Sequence, residues 1–472
     1  MNVRPHELPL LLARRAFLRR SGVGLGAMAL SALAGRASAQ DPARARRLPD
    51  FAPRAKRIVW LYMAGGMTHL DTFDDKPELR RRDGEPMPES LTKGQQIAQL
   101  QGQALRVLAP QHPFARRGRS GQSMATIWPR LGQCADELCI VRSLHTDAIN
   151  HDPAHTFMNT GTMNQGRPAM GSWLSYGLGA EASDLPAFVV MVSTGAYGQK
   201  QPIAARQWHS GFLPGQHQGV LFRGGGEPVL YAQSPAGVDG ARQRDVVDAV
   251  RRLDGHAQAR LGDPDIGARL RQYELAFRMQ ASVPELTDLR GEPQRVLDLY
   301  GAVPGDGSFA SNCLLARRLL ERGVRFVQLY HRDWDHHGAV KEHSAGTARE
   351  VDQGAAALLT DLQQRGMLDD TIVVFGSEFG RTPMAQGDGR DHHMQAFTMW
   401  FAGGGFRAGH AHGATDDFGY RAVQDRVSVH DVHATLLHQL GIDHERFTFR
   451  HQGLDDRLTG VEPAKVVRAL LA

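Results

Sequence analysis

The run Val324-Arg325-Phe326-Val327-Gln328-Leu329-Tyr330 reads as a buried strand, and it passes directly into Arg332-Asp333-Trp334-Asp335-His336-His337-Gly338. A strand that ends in two carboxylates and two imidazoles constrains the fold, because open α/β sheets put their sites beyond the carboxyl ends of their strands. The pattern recurs where Thr371-Ile372-Val373-Val374-Phe375 runs into Gly376-Ser377-Glu378-Phe379-Gly380-Arg381, with Arg390-Asp391-His392-His393 following. Oxygen and imidazole donors together suit a divalent ion: zinc first, with manganese, calcium and magnesium as alternatives. The competing reading is that these residues merely decorate surface loops.

Further apolar runs extend the sheet: Arg57-Ile58-Val59-Trp60-Leu61-Tyr62-Met63, Leu138 to Leu144, and Ala187 to Val192. Continuous runs of this kind are what buried parallel strands show. Helical patterns lie between several of them, as in Cys313 to Glu321, which closes on Gly323. The alternation predicts a doubly wound, mostly parallel α/β sheet. Between about residues 195 and 310 the pattern changes to Gly-rich and Gln-rich loops and a charged helical stretch from Gln243 to Arg278, which reads as an insertion.

Residues 1–39 read as a twin-arginine export signal: Arg14-Arg15-Ala16-Phe17-Leu18 precedes the weakly apolar run Gly22 to Ala34, and Ala37-Ser38-Ala39 supplies a cleavage site. A mature domain of residues 40–472, periplasmic or secreted, is therefore expected, with no span of the membrane. The leader carries six arginines against Glu7, a net +5 that equals the +5 of the whole chain. The mature part is formally neutral, so the basic isoelectric point is no argument for a nucleic-acid partner. The three cysteines cannot build a disulfide framework; a Cys134–Cys139 pair is the alternative, and three buried thiols are the expectation.

Met63-Ala64-Gly65-Gly66 with His69-Leu70-Asp71-Thr72-Phe73-Asp74, then Asn150-His151-Asp152-Pro153-Ala154-His155-Thr156-Phe157-Met158-Asn159-Thr160-Gly161, Trp334-Asp335-His336-His337, and Ser377-Glu378-Phe379-Gly380-Arg381-Thr382-Pro383 follow one another in order. Together they resemble the exported bacterial proteins grouped as domain of unknown function 1501. That resemblance covers nearly all of the chain beyond the leader and implies an alkaline-phosphatase-like and sulfatase-like fold. Against the sulfatase signature, Pro153, Thr160 and Gly161 stand in matching places, His151 takes the nucleophile position and His155 the arginine position. His151 cannot become a formylglycine, so the resemblance does not carry that route to sulfate-ester cleavage. Glu378 stands where the superfamily keeps the aspartate of an Asp-His-Gly metal motif, and Phe379 replaces its histidine. The resemblance also implies metal roles for Asp335 and His337, a later histidine from Asp391, His392 and His393, and a first-strand carboxylate at Asp71.

One or two ions are expected. His151 is read as nucleophile, general base or ligand, against a helix-capping role; Arg381 as a clamp on an anionic substrate, against a pairing with Glu378. Two functions of different class follow. The first is an exported metal-dependent hydrolase of a phosphate or sulfate ester, acting on a small anionic ester or a sulfated or phosphorylated glycan. The second is a non-catalytic sulfatase-like protein that binds an anionic glycan or a partner protein. Oligomeric state and substrate identity lie beyond the sequence.

Overall fold

The computed structural model describes residues 49–224, 228–229, 240–262 and 264–472. The expected leader lies outside them. Eleven strands are needed to place the site: β1 (Arg57–Met63), β2 (Cys139–His145), β3 (Phe188–Ser193), β4 (Val220–Phe222), β5 (Phe326–His331), β6 (Thr371–Gly376), β7 (Gly380–Gln386), β8 (Gly389–His393), β9 (Phe397–Ala402), β10 (Ala411–His412) and β11 (Val427–Ser428). Nine of them make the main sheet, in the order β10-β2-β9-β6-β1-β5-β3-β4, with β11 also paired to β2. All its pairings are parallel except those of β9 with β2 and β6.

The strands read as unbroken apolar runs because both faces of the sheet are covered. In β1, Val59, Leu61 and Met63 enter one core, which holds Leu314, Leu319, Val351 and Leu358. Ile58, Trp60 and Tyr62 enter the other, which holds Met158, Trp173, Val432 and Leu436. Two packed cores either side of one sheet make a three-layer α/β architecture. Its longer helices among the described residues are α1 (His151–Thr160), α2 (Met170–Leu178), α3 (Gly240–Leu261), α4 (Pro264–Thr287), α5 (Phe309–Glu321), α6 (Val340–Gln364) and α7 (Val429–Gln439).

Inside the expected insertion, α3 and α4 form the charged helical segment, while β4 pairs with β3 and continues the main sheet. All three cysteines are free; Cys139 and Cys313 are buried, whereas Cys134, expected to be buried too, is partly exposed. Among the described residues no helix is long and apolar enough to cross a membrane.

The central register decides where the chemistry goes. Met63 lies opposite His331 and Tyr62 opposite Gly376, so β1, β5 and β6 end almost level. Each is followed within a few residues by a site group: Gly65, Asp335 and Glu378. Gly65 has φ 128°, and a Cβ there would sit 2.5 Å from the Asp335 nitrogen; Gly66 has φ 72°, and its Cβ would sit 2.4 Å from the Phe379 ring. Only glycine lets the chain leaving β1 pass this close to its neighbours.

Candidate metal centre

His151 is the first residue of α1. Asn150, extended at φ −114° and ψ 146°, takes the capping position without a side-chain bond, so His151 does not cap the helix and its ring is free to turn toward the sheet edge. The helix stops at Gly161 in the left-handed region, where a Cβ would stand 2.0 Å from the Leu458 carbonyl oxygen. His433 Nε2 donates to the Met158 carbonyl and His430 Nε2 to the Gly161 carbonyl, so α7 fixes the far end of α1. These two histidines are structural.

Asp335 is the hub. Its Oδ1 lies 3.2 Å from His151 Nε2, 3.0 Å from His337 Nε2 and 3.3 Å from His392 Nε2, and it accepts from Arg381 Nη2 at 2.5 Å. His337 Nε2 and His392 Nε2 lie 2.9 Å apart. Burial would raise the Asp335 pKa, but the His151, His337 and His392 imidazoles around it and the Arg381 charge overrule it and hold the carboxyl far below its usual range. The side chain keeps 22% of its surface in water and that of His337 26%, so the centre opens to solvent on this side.

A second carboxylate sits deeper. Glu378 is fully buried, accepts from His151 Nδ1 at 2.7 Å and from the Gly65 nitrogen at 3.1 Å, and has His155 Nε2 at 3.6 Å. Its Oε2 also accepts from Ser377 Oγ at 2.8 Å. Burial opposes ionisation, yet the charges of His155 and His151 and the bond from His151 bring Glu378 down to about 2. His151 is raised, because the bonds to Asp335 and Glu378 overcome its burial; His155 is lowered, chiefly by burial. Tyr62 Oη meets His155 Nδ1 at 2.9 Å from the strand below. The Phe379 ring walls the centre, 4.9 Å from His151 and 4.8 Å from His392 between centroids.

Two groups of metal-competent donors result: His151, Asp335, His337 and His392, and His151, His155 and Glu378, with His151 common to both. The first fits a divalent cation on its own chemistry. His392 Nδ1 donates to the Ile149 carbonyl at 3.0 Å, and His337 Nδ1 to Gln386 Oε1 at 2.5 Å. With those protons on Nδ1, the lone pairs of both rings lie on Nε2 and point at each other and at one carboxylate oxygen. His151 repeats the arrangement, with Nδ1 on Glu378 and Nε2 3.2 Å from Asp335 Oδ1. Converging lone pairs and negative charge are stable around a cation.

Four expected site residues are placed otherwise. Arg381 is fully buried and spends its donors on the Gly65, Gly66 and Arg390 carbonyls and on Asp335, so it is a brace and no clamp for an incoming anion. It pairs with Asp335, not with Glu378. Asp71 is paired with Arg390, Nε to Oδ2 at 2.7 Å, and accepts from Thr68 and the Gln111 nitrogen; its lone pairs are already engaged. Asp391 points away from the ligands and accepts from the Gln99, Leu100 and His392 nitrogens, fastening the loop beside the site. His393 alternates to the opposite face of β8 from His392 and donates to the Tyr420 carbonyl at 2.5 Å.

Sequence reasoning passed over Tyr62, Gly65, Gln386 and Gln99. Only Gly65 carried a signal, since a glycine pair directly after a buried strand marks close backbone approach. Trp334 is buried and stacks on Trp128 with ring centroids 6.3 Å apart.

Fold and site together define an α/β protein with an imidazole–carboxylate centre at the carboxyl edge of its sheet. The chain belongs to the family described as Protein of unknown function (DUF1501), whose model matches residues 55–471. No curated protein matches the sequence. Among solved structures, the phosphonate monoester hydrolase of Agrobacterium radiobacter matches with 11% identity and a TM-score of 0.37, over 89% of this chain and 77% of that one. The PsFucS1 sulfatase from Pseudoalteromonas sp. matches with 11% identity and a TM-score of 0.34, over 83% and 69%. A mutant of TAB5 alkaline phosphatase matches with 10% identity and a TM-score of 0.31, over 75% and 92%.

Proposed function

We propose that the protein is an exported metal-dependent hydrolase of a phosphate or sulfate ester, with one divalent ion, zinc by preference, held by Asp335, His337, His392 and His151. The observation that carries the reading is the 2.9 Å approach of the His337 and His392 Nε2 atoms beside Asp335 Oδ1, with the Nδ1 of each ring committed to an oxygen. Three imidazoles and one carboxylate suit zinc better than the harder ions. Such an ion supplies a Lewis acid for an ester oxygen and lowers the pKa of water.

The chain's own residues supply the rest. Glu378 holds the proton of His151 Nδ1 and so fixes which ring nitrogen faces Asp335. His155 and Tyr62 close the network behind Glu378 and keep water from the deep side. α1 starts at His151, so the positive end of its dipole lies beside the same edge, where it favours an anionic ligand. The ester class itself rests on the resemblance of the Asn150 to Gly161 stretch to the sulfatase signature. The leader supports a periplasmic or secreted site of action.

The test is hydrolysis of p-nitrophenyl phosphate, p-nitrophenyl sulfate and a phosphodiester analogue by zinc-loaded protein. Hydrolysis of one of them that a chelator abolishes and His337→Ala removes is the expected result. The absence of hydrolysis in every metal-loaded form would sink the catalytic reading.

One observation favours the binding alternative. The hydroxyl of Ser377, next to Glu378, is buried and engaged with Met63, Met67 and Glu378, which leaves it no freedom to act as a nucleophile. A protein that binds a sulfated glycan through the metal without cleaving it would show zinc-dependent retention on such a glycan and no turnover.

A further inference from the structure

Outside the four proposed ligands, one chain of side chains touches the centre and has no part in the core. His337 Nδ1 donates to Gln386 Oε1 at 2.5 Å, and Gln386 Nε2 donates to Gln99 Oε1 at 2.9 Å. Gln99 Nε2 stands 3.4 Å from His337 Nε2, so the chain turns back on the ring it began from. Asp391 fastens the backbone of Gln99 and Leu100, and this holds the outer end of the chain still.

Gln386 sits at the end of β7, and β7 pairs antiparallel with β8, which carries His392. One hairpin therefore supplies both a proposed ligand and the partner of another. The hairpin also presses directly on the His337 backbone: a Cβ at Gly389 would lie 2.1 Å from the His337 carbonyl carbon. Gln386 and His337 are thus held at fixed separation by backbone packing, not by two flexible side chains meeting at a surface.

We propose that Gln386 is a positioning residue of the metal centre: its carboxamide oxygen keeps the proton of His337 on Nδ1, and so leaves Nε2 as the nitrogen that faces Asp335 and His392. The inference rests on the metal-centre reading given above. The physical reason is general. A ligating imidazole keeps its orientation and tautomer through the hydrogen bond of its other nitrogen, and removal of that partner costs about 10- to 100-fold in metal affinity. A carboxamide does this without adding a third negative charge beside Asp335 and Glu378. Gln99, by accepting from Gln386, fixes which end of the Gln386 amide faces the ring.

The experiment is a zinc titration of the full mature chain against a chromophoric chelator, for wild type, Gln386→Leu and Gln386→Glu. Gln386→Leu is expected to bind zinc about 10- to 100-fold more weakly with the melting temperature of the metal-free protein unchanged, and Gln386→Glu, which keeps the acceptor, to bind at least as tightly as wild type. Equal affinity for wild type and Gln386→Leu would overturn the proposal, and so would a Gln386→Glu as weak as Gln386→Leu. A second measurement stands apart from the metal reading. In metal-free protein labelled with 15N-histidine, the His337 resonances, assigned by their loss in His337→Gln, are expected to show the Nδ1–H form in wild type and a shift toward Nε2–H in Gln386→Leu. If wild type took no zinc the centre would fail as a metal site, while the tautomer would still decide the role of Gln386: an Nε2–H ring in wild type, or no change in the variant, overturns it.

Discussion

Arg381 donates to Asp335 Oδ1 at 2.5 Å from a fully buried position, and its remaining donors close on the carbonyls of Gly65, Gly66 and Arg390. The guanidinium thereby ties the exit of β1, the loop after β5 and the hairpin of β7 and β8 to one another. Removing it leaves three carbonyls and a carboxylate facing an apolar hole. Arg381→Met should cost about 3–5 kcal/mol of stability. Urea denaturation of the mature protein checks this, and a loss under about 1 kcal/mol would show that the brace is dispensable.

Gly65→Ala tests the close approach that builds the site. The new Cβ would meet backbone, 2.5 Å from the Asp335 nitrogen, in a φ region that alanine avoids. A cost of roughly 1–3 kcal/mol is expected, together with weaker zinc binding, because the displaced atom belongs to the loop that carries the hub carboxylate. Calorimetric melting and a zinc titration read the two effects. An unaffected zinc affinity would mean that Asp335 does not depend on this passage.

Glu378 and His151 separate orientation from ligation. Glu378→Gln keeps the shape and an acceptor for His151 Nδ1 but loses the negative charge behind the ring. It should keep its metal and lose about 10- to 100-fold in turnover. His151→Ala should lose metal affinity as well as turnover. Full metal content in His151→Ala would move that residue from ligand to proton carrier.

Acid stability follows from histidines held neutral in the interior away from the centre. Burial pushes His433 down to about 3 and His217 down to about 4, from the ordinary histidine value of 6.5. Their folded values lie below the unfolded one, so the unfolded chain binds more protons between pH 6.5 and about 3 to 4, and stability rises with pH across that window. The contribution is complete above pH 6.5 and is lost as the pH falls toward 4. Denaturation free energy measured between pH 7 and 4.5 should fall, and the fall should be shallower in His433→Gln. A flat profile would contradict the neutral assignments.

The sheet was legible in the sequence because its strands are buried on both faces and so read as unbroken apolar runs, and because ligand-type residues follow β5 and β6 directly. Asp335, His337, Glu378, His392, His151 and His155, nominated for strand ends and for a signature-like stretch, are the residues that the fold gathers at one edge. Asp71, Asp391 and His393 have the same side-chain chemistry and a different use, and Arg381 spends its donors on backbone carbonyls and Asp335. What separates them is long-range partnership: Arg390 facing Asp71, the loop at Gln99 reaching Asp391, the alternation of β8 turning His393 to Tyr420. None of those distances is written in local pattern. Tyr62 and Gln386 escaped for the converse reason: a tyrosine inside an apolar strand and a glutamine at a hairpin end read as core and surface until the partner is in place.

Zinc content decides whether Asp335, His337, His392 and His151 form a divalent-cation site. Mature protein, dialysed to equilibrium against buffered zinc and measured by elemental mass spectrometry, should hold one equivalent per chain, and the His337→Ala/His392→Ala double variant should hold none while remaining folded by circular dichroism. Wild-type protein that retains no zinc, manganese, calcium or magnesium above the double variant would contradict the account, and would leave the four groups as a proton-bridged network around Asp335.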